Sequence, residues 1–133
     1  MIVALHILTI PLAFFYCNFL EWASHKYVLH GLGKNKKSFW AFHWHDHHKF
    51  VRKYKGFDPS YKTSFKGAVL KEKLVLFALL LMHWPLFSMA PLFYLTSVYC
   101  TWNYYNVHKK SHEDVEWAKK NVPWHYEHHM GKD

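Results

Sequence analysis

The chain contains very little cysteine and few acidic residues, and both shortages limit what kind of protein it can be. Its 133 residues include two cysteines, Cys17 and Cys100. Each lies within an apolar run, so neither a disulfide framework nor a cysteine-rich metal site is indicated. Only 9 Asp and Glu residues stand against 17 Lys and Arg residues, which gives a net charge of +8. Such a basic balance is typical of proteins that bind nucleic acid or an anionic membrane surface.

Basic residues are missing from two long stretches, and this decides between those two classes. Residues 1–25 contain no Lys or Arg, and residues 74–107 contain no charged residue at all. A nucleic-acid-binding domain would carry its basic residues on the same helices as its core, whereas apolar runs flanked by basic segments are typical of a membrane protein. The sequence therefore predicts an integral membrane protein that binds no nucleic acid and keeps its basic segments on the cytoplasmic side.

Two apolar runs give the predicted membrane segments. Residues 2–20 approach the about 20 residues that a helix needs to cross a bilayer. A signal peptide is the alternative, but neither a basic leading segment nor a clear cleavage site is present. Residues 74–107 are too long for one crossing and fit a tight hairpin with its turn between residues 83 and 91. A hairpin also keeps the flanking lysines on one side of the membrane.

These segments predict a single all-α domain over residues 1–133. One N-terminal membrane helix covers about residues 2–24, and a membrane hairpin covers about residues 68–107. Residues 25–66 and 108–130 are expected to form a cytoplasmic helical cap. In this topology the N-terminus lies outside, and every histidine cluster lies on the cytoplasmic face together with the C-terminus.

Histidine is abundant in the predicted cap, where two common metal motifs are absent. The sequence has neither the Glu-x-x-His pairs of carboxylate-bridged di-iron bundles nor the His-Glu-x-x-His helix of zinc proteases. Of its 13 histidines, 11 lie in the cap, in four clusters that read SHKYVLH, HWHDHH, HKKSH and HYEHH. Solvated surfaces use Lys and Glu, whereas neutral imidazole is the commonest metal ligand. The clusters therefore indicate an all-histidine site for two metal ions.

The spacing within each cluster determines which side chains can share a centre. His25 and His30 are five residues apart and would point about 140° apart on an ideal α-helix, so the helix must end or distort between them if both bind one metal. His43 and His47 are four residues apart and share a helical face, while His48 points elsewhere and could serve a second metal. The histidines of the third and fourth clusters also share one face within each cluster.

The order of these four clusters resembles the fatty acid hydroxylase/sterol desaturase superfamily of membrane di-iron enzymes. The resemblance covers residues 21–130, and the stretch EWASHKYVLHG is also similar to the first motif of bacterial carotenoid hydroxylases in that superfamily. By the family pattern, the metal ligands are His25, His30, His43, His47, His48, His108, His112, His125, His128 and His129. Many members have two residues rather than three before the second double histidine, so the choice between His43 and His45 stays open.

Some further residues are candidates to orient the ligands. A ligating histidine usually donates its second ring N–H to a carboxylate or carbonyl group. Glu21 is the leading candidate because it ends an apolar helix, where a bare charge is unfavourable. The other candidates near the clusters are His45, Asp46, Asn106 and Glu127.

The resemblance implies an oxidoreductase of the monooxygenase type. It would use two iron ions and O2 to hydroxylate or desaturate an unactivated C–H bond of a lipid drawn from the bilayer, and zinc could replace iron in purified protein. No haem, flavin or Fe–S motif is evident, so the electrons would come from an external donor such as a cytochrome b5, a ferredoxin or a reductase. A carotenoid or sterol hydroxylase of the same superfamily, and a non-catalytic membrane metal-binding protein, are the alternatives.

The chain departs from the family pattern in two respects. Members often have four membrane helices, where this chain has three predicted segments. Many continue well beyond the last double histidine, whereas this sequence stops at Asp133. We therefore expect a minimal or truncated member, whose substrate-shaping parts are missing or are supplied by a homo-oligomer.

Overall fold

The computed structural model describes residues 2–63 and 65–131, and the prediction of an all-helical chain is confirmed for them. Those residues contain no β-strand. Two segments are π-helical, Ser24–Gly31 and Phe42–His48, and a 3₁₀ turn covers Leu32–Lys34. The α-helices are α1 (Ile2–Ala23), α2 (Lys49–Lys53), α3 (Ser60–Thr63), α4 (Gly67–Met82), α5 (Leu86–Met89), α6 (Pro91–Glu113), α7 (Val115–Asn121) and α8 (Pro123–Met130).

The N-terminal helix is longer than its apolar run. Helix α1 continues without a break through the first π-helical segment and the 3₁₀ turn, and it ends where Asn35 adopts an extended conformation. Within residues 2–63 and 65–131, Leu5–Lys34 is the one helix long and apolar enough to cross a membrane. The other two predicted membrane segments do not meet that criterion, so insertion of the hairpin stays a prediction.

Helices α4 and α6 form an antiparallel pair. The Tyr94 hydroxyl at the start of α6 donates to the Leu80 carbonyl near the end of α4, 3.3 Å away. At the opposite ends, His108 Nδ1 lies 2.6 Å from a Glu72 carboxylate oxygen. The two helices are joined by residues 83–90, the region that the sequence predicted for the turn, and these residues include α5.

Helix α1 packs along α6 in the same direction. Tyr16 of α1 contacts Phe93 near the start of α6, with ring centroids 5.5 Å apart. Further along both helices, Glu21 and Tyr104 line one shared cavity. Because α4 runs in the opposite direction, the C-terminal ends of α1 and α6 and the N-terminal end of α4 lie at one end of the bundle. All four histidine clusters are therefore brought to that end.

Much of the apolar surface of these three helices is exposed. Phe15 is 77% exposed on α1, Phe77 is 59% exposed on α4, and Trp102 is 63% exposed on α6. Soluble monomers rarely leave contiguous apolar surface of this kind uncovered. Only Ala13 among the described side chains of α1 is buried, so the helix contributes little to a conventional core.

The cap consists of short helices with well-defined ends. Proline occupies the first position of α8, where no backbone N–H is needed. The Asp114 side chain caps α7 by accepting from the backbone N–H of Trp117, 3.0 Å away. Because α7 and α8 each contain only about two turns, the chain reverses sharply after α6 and brings the last cluster back over the earlier ones.

Gly56 holds the loop after α2 in a conformation that needs glycine, and this generates a stability prediction. Its φ is +102°, and a Cβ at this position would lie 3.0 Å from Cε2 of Tyr126. Gly56→Ala should therefore destabilise the fold by roughly 1–3 kcal/mol, through backbone strain and displacement of the tyrosine ring. Far-UV circular dichroism of the purified protein in detergent would measure this as a lower melting temperature.

Gly67→Ala is the matched control. Gly67 also has positive φ, +59°, but a Cβ added there would meet no atom within 4 Å. The substitution should therefore lower the melting temperature less than Gly56→Ala does. Equal effects of the two substitutions would contradict the close contact with α8.

Candidate metal centre

Nine histidines form two groups, each with ring nitrogens close enough together to hold a metal ion. Each histidine offers one ring nitrogen as a ligand, and within each group these nitrogens all lie within 4.8 Å of one another. The first group consists of His25, His30, His43, His48 and His128, and the second of His47, His108, His112 and His129. The groups adjoin, because the rings of His48 and His129 are 4.2 Å apart.

The first group depends on π-helical backbone. A π-helix closes its hydrogen bonds between residues five apart, so a spacing of five places two side chains on nearly the same side. His25 and His30 stack with ring centroids 4.7 Å apart in the first π-helical segment. His43 and His48 have the same spacing in the second segment, and their Nε2 atoms are 3.1 Å apart. The helix distortion that the first cluster required is thus a change of helix type.

The second group uses ordinary α-helical spacing. His108 and His112 are four residues apart on α6, with Nε2 atoms 3.2 Å apart. His125 and His129 have the same spacing on α8, with ring centroids 4.5 Å apart. His125 borders the second group, since its Nε2 lies 3.2 Å from that of His112. All ten histidines that the family pattern implies as ligands therefore lie in or beside the two groups.

The second cluster contributes to both groups. The α-helical spacing predicts that His43 and His47 share a face, whereas the structure places His43 with His48 in the first group and His47 in the second. The difference arises because π-helical backbone, rather than α-helical backbone, carries these residues. His47 lies 4.8 Å from His112 and from His129, measured between ring centroids.

The nitrogen positions fit metal ions better than they fit hydrogen bonds between imidazoles. His48 Nε2 lies 3.1 Å from His30 Nε2 and 3.2 Å from His128 Nε2, yet two imidazole nitrogens can share only one proton. Neighbouring ligands held about 2.1 Å from one ion would lie about 3.0–3.4 Å apart. Both ring nitrogens of His47 and of His129 are buried without a hydrogen-bond partner. A buried nitrogen without a partner is unfavourable, unless it donates its lone pair to a metal ion.

Burial keeps these imidazoles in the form that binds metal. Desolvation lowers the pKa of His112 and of His129, and the neighbouring histidines lower it further. Desolvation also lowers the pKa of His47, although Asp58 opposes that shift. At neutral pH the rings are therefore uncharged, and no proton competes for their lone pairs.

Oxygen atoms lie close to Nδ1 of three histidines of the second group, and sequence reasoning missed all of these oxygens. The Nδ1 atom of His108 lies 2.6 Å from a Glu72 oxygen, and that of His112 lies 3.0 Å from the Gly56 carbonyl oxygen. His47 Nδ1 lies 3.6 Å from the Asp58 carboxylate. Burial acts to raise the pKa of Asp58, but the neighbouring His47 imidazole and hydrogen bonds from Ser60 hold it below its usual value.

Glu72 and Asp58 carried little signal in the sequence. Glu72 lies between two lysines at the start of an apolar run, where it resembles a surface charge. Asp58 precedes a proline and a serine in a segment that looks like a solvated turn. The one sequence signal that could have identified Glu72 as a residue that orients a ligand is its position next to an apolar run. Glu21 shows the same signal and was favoured instead.

The residues that the sequence proposed for orienting ligands lie elsewhere. The Nε2–H of His45 donates to the Lys34 carbonyl, 2.9 Å away and outside both groups. The Asn106 amide is exposed and donates to the Trp102 carbonyl. Asp46 and Glu127 are exposed, and Glu21 faces a cavity beside His25.

Two cavities adjoin the histidines. A cavity of about 490 Å³ lies between α1, α4 and α6, and His25 of the first group forms part of its wall. Along the N-terminal helix this wall runs from Phe14 past His25 to Leu29, ~16 Å from Phe14 to His25 at ~1.5 Å per residue. Most of its lining is apolar or aromatic. A smaller cavity of about 50 Å³ is bounded by His43 of the first group and by His47 and His108 of the second.

No protein-family model, curated protein or solved structure matches this chain. Membership of the fatty acid hydroxylase/sterol desaturase superfamily therefore stays a prediction from the histidine motifs. The structure itself provides a buried histidine cluster that could bind a metal ion, beside the end of a helix long and apolar enough to cross a membrane.

The positions of His43 and His45 generate a metal-binding prediction. His43 is buried in the first group, so His43→Ala should reduce the metal content of the purified protein from about two ions per chain to about one. His45 bonds outside both groups, so His45→Ala should leave the content unchanged. Elemental analysis of both variants measures this, and metal loss in the His45 variant alone would reverse the assignment.

Proposed function

We propose that this protein is a membrane-bound non-haem di-iron oxygenase that hydroxylates or desaturates an unactivated C–H bond of a lipid. The observation that carries the proposal is the pair of adjoining histidine groups at the end of a long apolar cavity. Two neighbouring metal positions suit a reaction that needs two electrons, and an apolar cavity suits a substrate without charged groups.

Iron fits the proposed chemistry better than zinc. Imidazole binds both metals, but zinc has no redox chemistry and could support only structure or hydrolysis. When bound, two iron ions would supply the redox chemistry of O2 activation, which no amino-acid side chain supplies. His25, His30, His43, His48 and His128 would hold one ion, and His47, His108, His112, His125 and His129 the other.

The cavity supports a lipid as substrate. Leu76, Leu79 and Met82 line it from α4, and Phe14 lines it from α1. An apolar chain in this cavity would lie beside His25, so the carbon nearest the first group would be the one attacked. A fatty-acyl or similar lipid is our main hypothesis for the substrate, and a carotenoid or sterol is the alternative.

The helices that enclose the cavity expose apolar side chains of the kind that lipid tails cover. We therefore place them in the bilayer, with the N-terminus outside and the histidine groups on the cytoplasmic face, next to the basic segments. In this arrangement the lipid enters from the membrane and never crosses water.

The overall reaction consumes two electrons, so the protein needs an electron donor as its partner. Hydroxylation converts R–H, O2, two electrons and two protons into R–OH and water. The electrons come from an external donor of the cytochrome b5, ferredoxin or reductase type, and the basic cap offers a docking surface for an acidic donor. The cavity of about 50 Å³ has room for a small molecule such as O2 beside both groups.

Metal analysis together with product analysis tests the proposal. Purified protein should contain about two irons per chain and should consume O2 when supplied with a chemical reductant and total membrane lipid. Mass spectrometry after reaction under 18O2 should find the label in a hydroxylated lipid, and His47→Ala should abolish it. Protein that holds two metals but consumes no O2 would instead support the non-catalytic metal-binding alternative.

A cavity-filling substitution separates substrate binding from metal binding. Leu79 lines the cavity, so Leu79→Trp should block an apolar chain and reduce product formation at least tenfold while metal content stays near the wild-type value. Leu81 lies two residues away on α4 and is 55% exposed, so Leu81→Trp is the matched control and should keep its activity. Equal activity of the two variants would exclude this cavity as the substrate site.

A further inference from the structure

We propose that the second histidine group holds its metal ion more tightly than the first, and that Glu72 is the positioning residue chiefly responsible. This difference in metal affinity rests on the proposed function, which assigns one metal ion to each histidine group. One ion would be firmly held, and the other, beside the large cavity, would exchange readily.

Glu72 is fully engaged in holding one ligand. Its Oε1 atom lies 2.6 Å from Nδ1 of His108, and its Oε2 atom accepts a 2.7 Å hydrogen bond from the Tyr61 hydroxyl. Because a carboxylate oxygen only accepts hydrogen bonds, the neutral His108 ring carries its proton on Nδ1. That leaves the Nε2 lone pair of His108 facing His112, within the second group.

Tyr61 secures the same arrangement from the other side. It is 1% exposed, and its ring stacks on that of His112 with centroids 5.5 Å apart. Its hydroxyl also lies 3.2 Å from His108 Nδ1. One buried tyrosine therefore contacts two ligands of the second group as well as the carboxylate that orients one of them.

Two other ligands of the second group, His112 and His47, also have an oxygen atom close to Nδ1. The Gly56 carbonyl fixes the ring of His112, and the Asp58 carboxylate lies near His47. Carboxylates and carbonyls placed behind imidazoles raise their basicity and fix their orientation, which strengthens metal binding. Glu72 stands out among them because it makes a charged contact at hydrogen-bond distance.

The first group is less enclosed. All four members of the second group are buried, whereas His25, His30 and His128 of the first are partly exposed. His25 also forms part of the wall of the large cavity. Water and small chelators can therefore reach the first group more easily, and its ion should leave first.

Metal release from the intact protein tests the proposal. Full-length protein loaded with two equivalents of Fe(II) is mixed anaerobically with excess of a ferrous chelator, and the coloured complex is followed over time. We expect two phases of about one ion each, at least tenfold apart in rate. His30→Ala should remove the fast phase, which assigns it to the first group.

Glu72→Gln is the decisive variant, because it keeps the shape of the side chain and removes its charge. It should accelerate the slow phase about 10–100-fold and leave the fast phase unchanged. Glu113→Gln, on α6 beside His112 and paired with Lys109, is the matched control and should change neither phase. Tyr61→Phe should accelerate the slow phase less, and it decides the question if Glu72→Gln does not fold.

A single release phase in the wild type, or equal acceleration of both phases by Glu72→Gln, would overturn the proposal. So would a slow phase that Glu72→Gln and Tyr61→Phe both leave unchanged. The assay contains no lipid, electron donor or O2. Unequal release without oxygenase activity would therefore refute the proposed function alone, and activity with equal release would refute this inference alone.

Discussion

The cap depends on buried imidazole rings whose nitrogens face one another. The buried histidines among the described residues are His43, His47, His48, His108, His112 and His129. Uncharged rings packed this way leave nitrogens without partners, and charged rings would repel one another, so neither protonation state stabilises the arrangement by itself. A cation held in each group would accept the lone pairs that face it. The imidazole rings of α8 contact rings of α6 and of both π-helical segments, so binding of metal ions in the two groups would be coupled to folding of the cap.

The three long helices and the cap contribute different parts of the site. Helices α1, α4 and α6 enclose an apolar cavity, and they expose aromatic and aliphatic side chains on their outer surfaces. The same three helices deliver His25, Glu72 and His108 to one end of the bundle. The site is therefore fixed to the long helices, while the short helices of the cap close over it from the opposite side.

The sequence allowed the all-helical fold and the position of the hairpin turn to be predicted, because long uncharged runs and prolines are local signals. It also identified the histidines that come together, because a need for solubility does not explain so many imidazoles. It failed on the division of His43, His47 and His48 between the groups, because α-helical spacing was assumed. It also missed Glu72 and Asp58, because contacts between different helices, or between a loop and a helix, leave no trace in local spacing. Glu21, which was favoured on local grounds, faces the cavity instead.

The two π-helical segments limit which insertions and deletions the chain can tolerate. Each closes its hydrogen bonds over one residue more than an α-helix does, and this wider turn rotates everything that follows it. Loss of a single residue between His25 and His30, or between His43 and His48, would leave a spacing of four, which α-helical winding still places on one face. Every residue after the deletion would nevertheless be rotated and shifted relative to the other histidine clusters. Substitutions within these segments leave the winding intact, whereas changes of length do not. The spacing of five is thus a constraint on insertions and deletions as much as on residue identity.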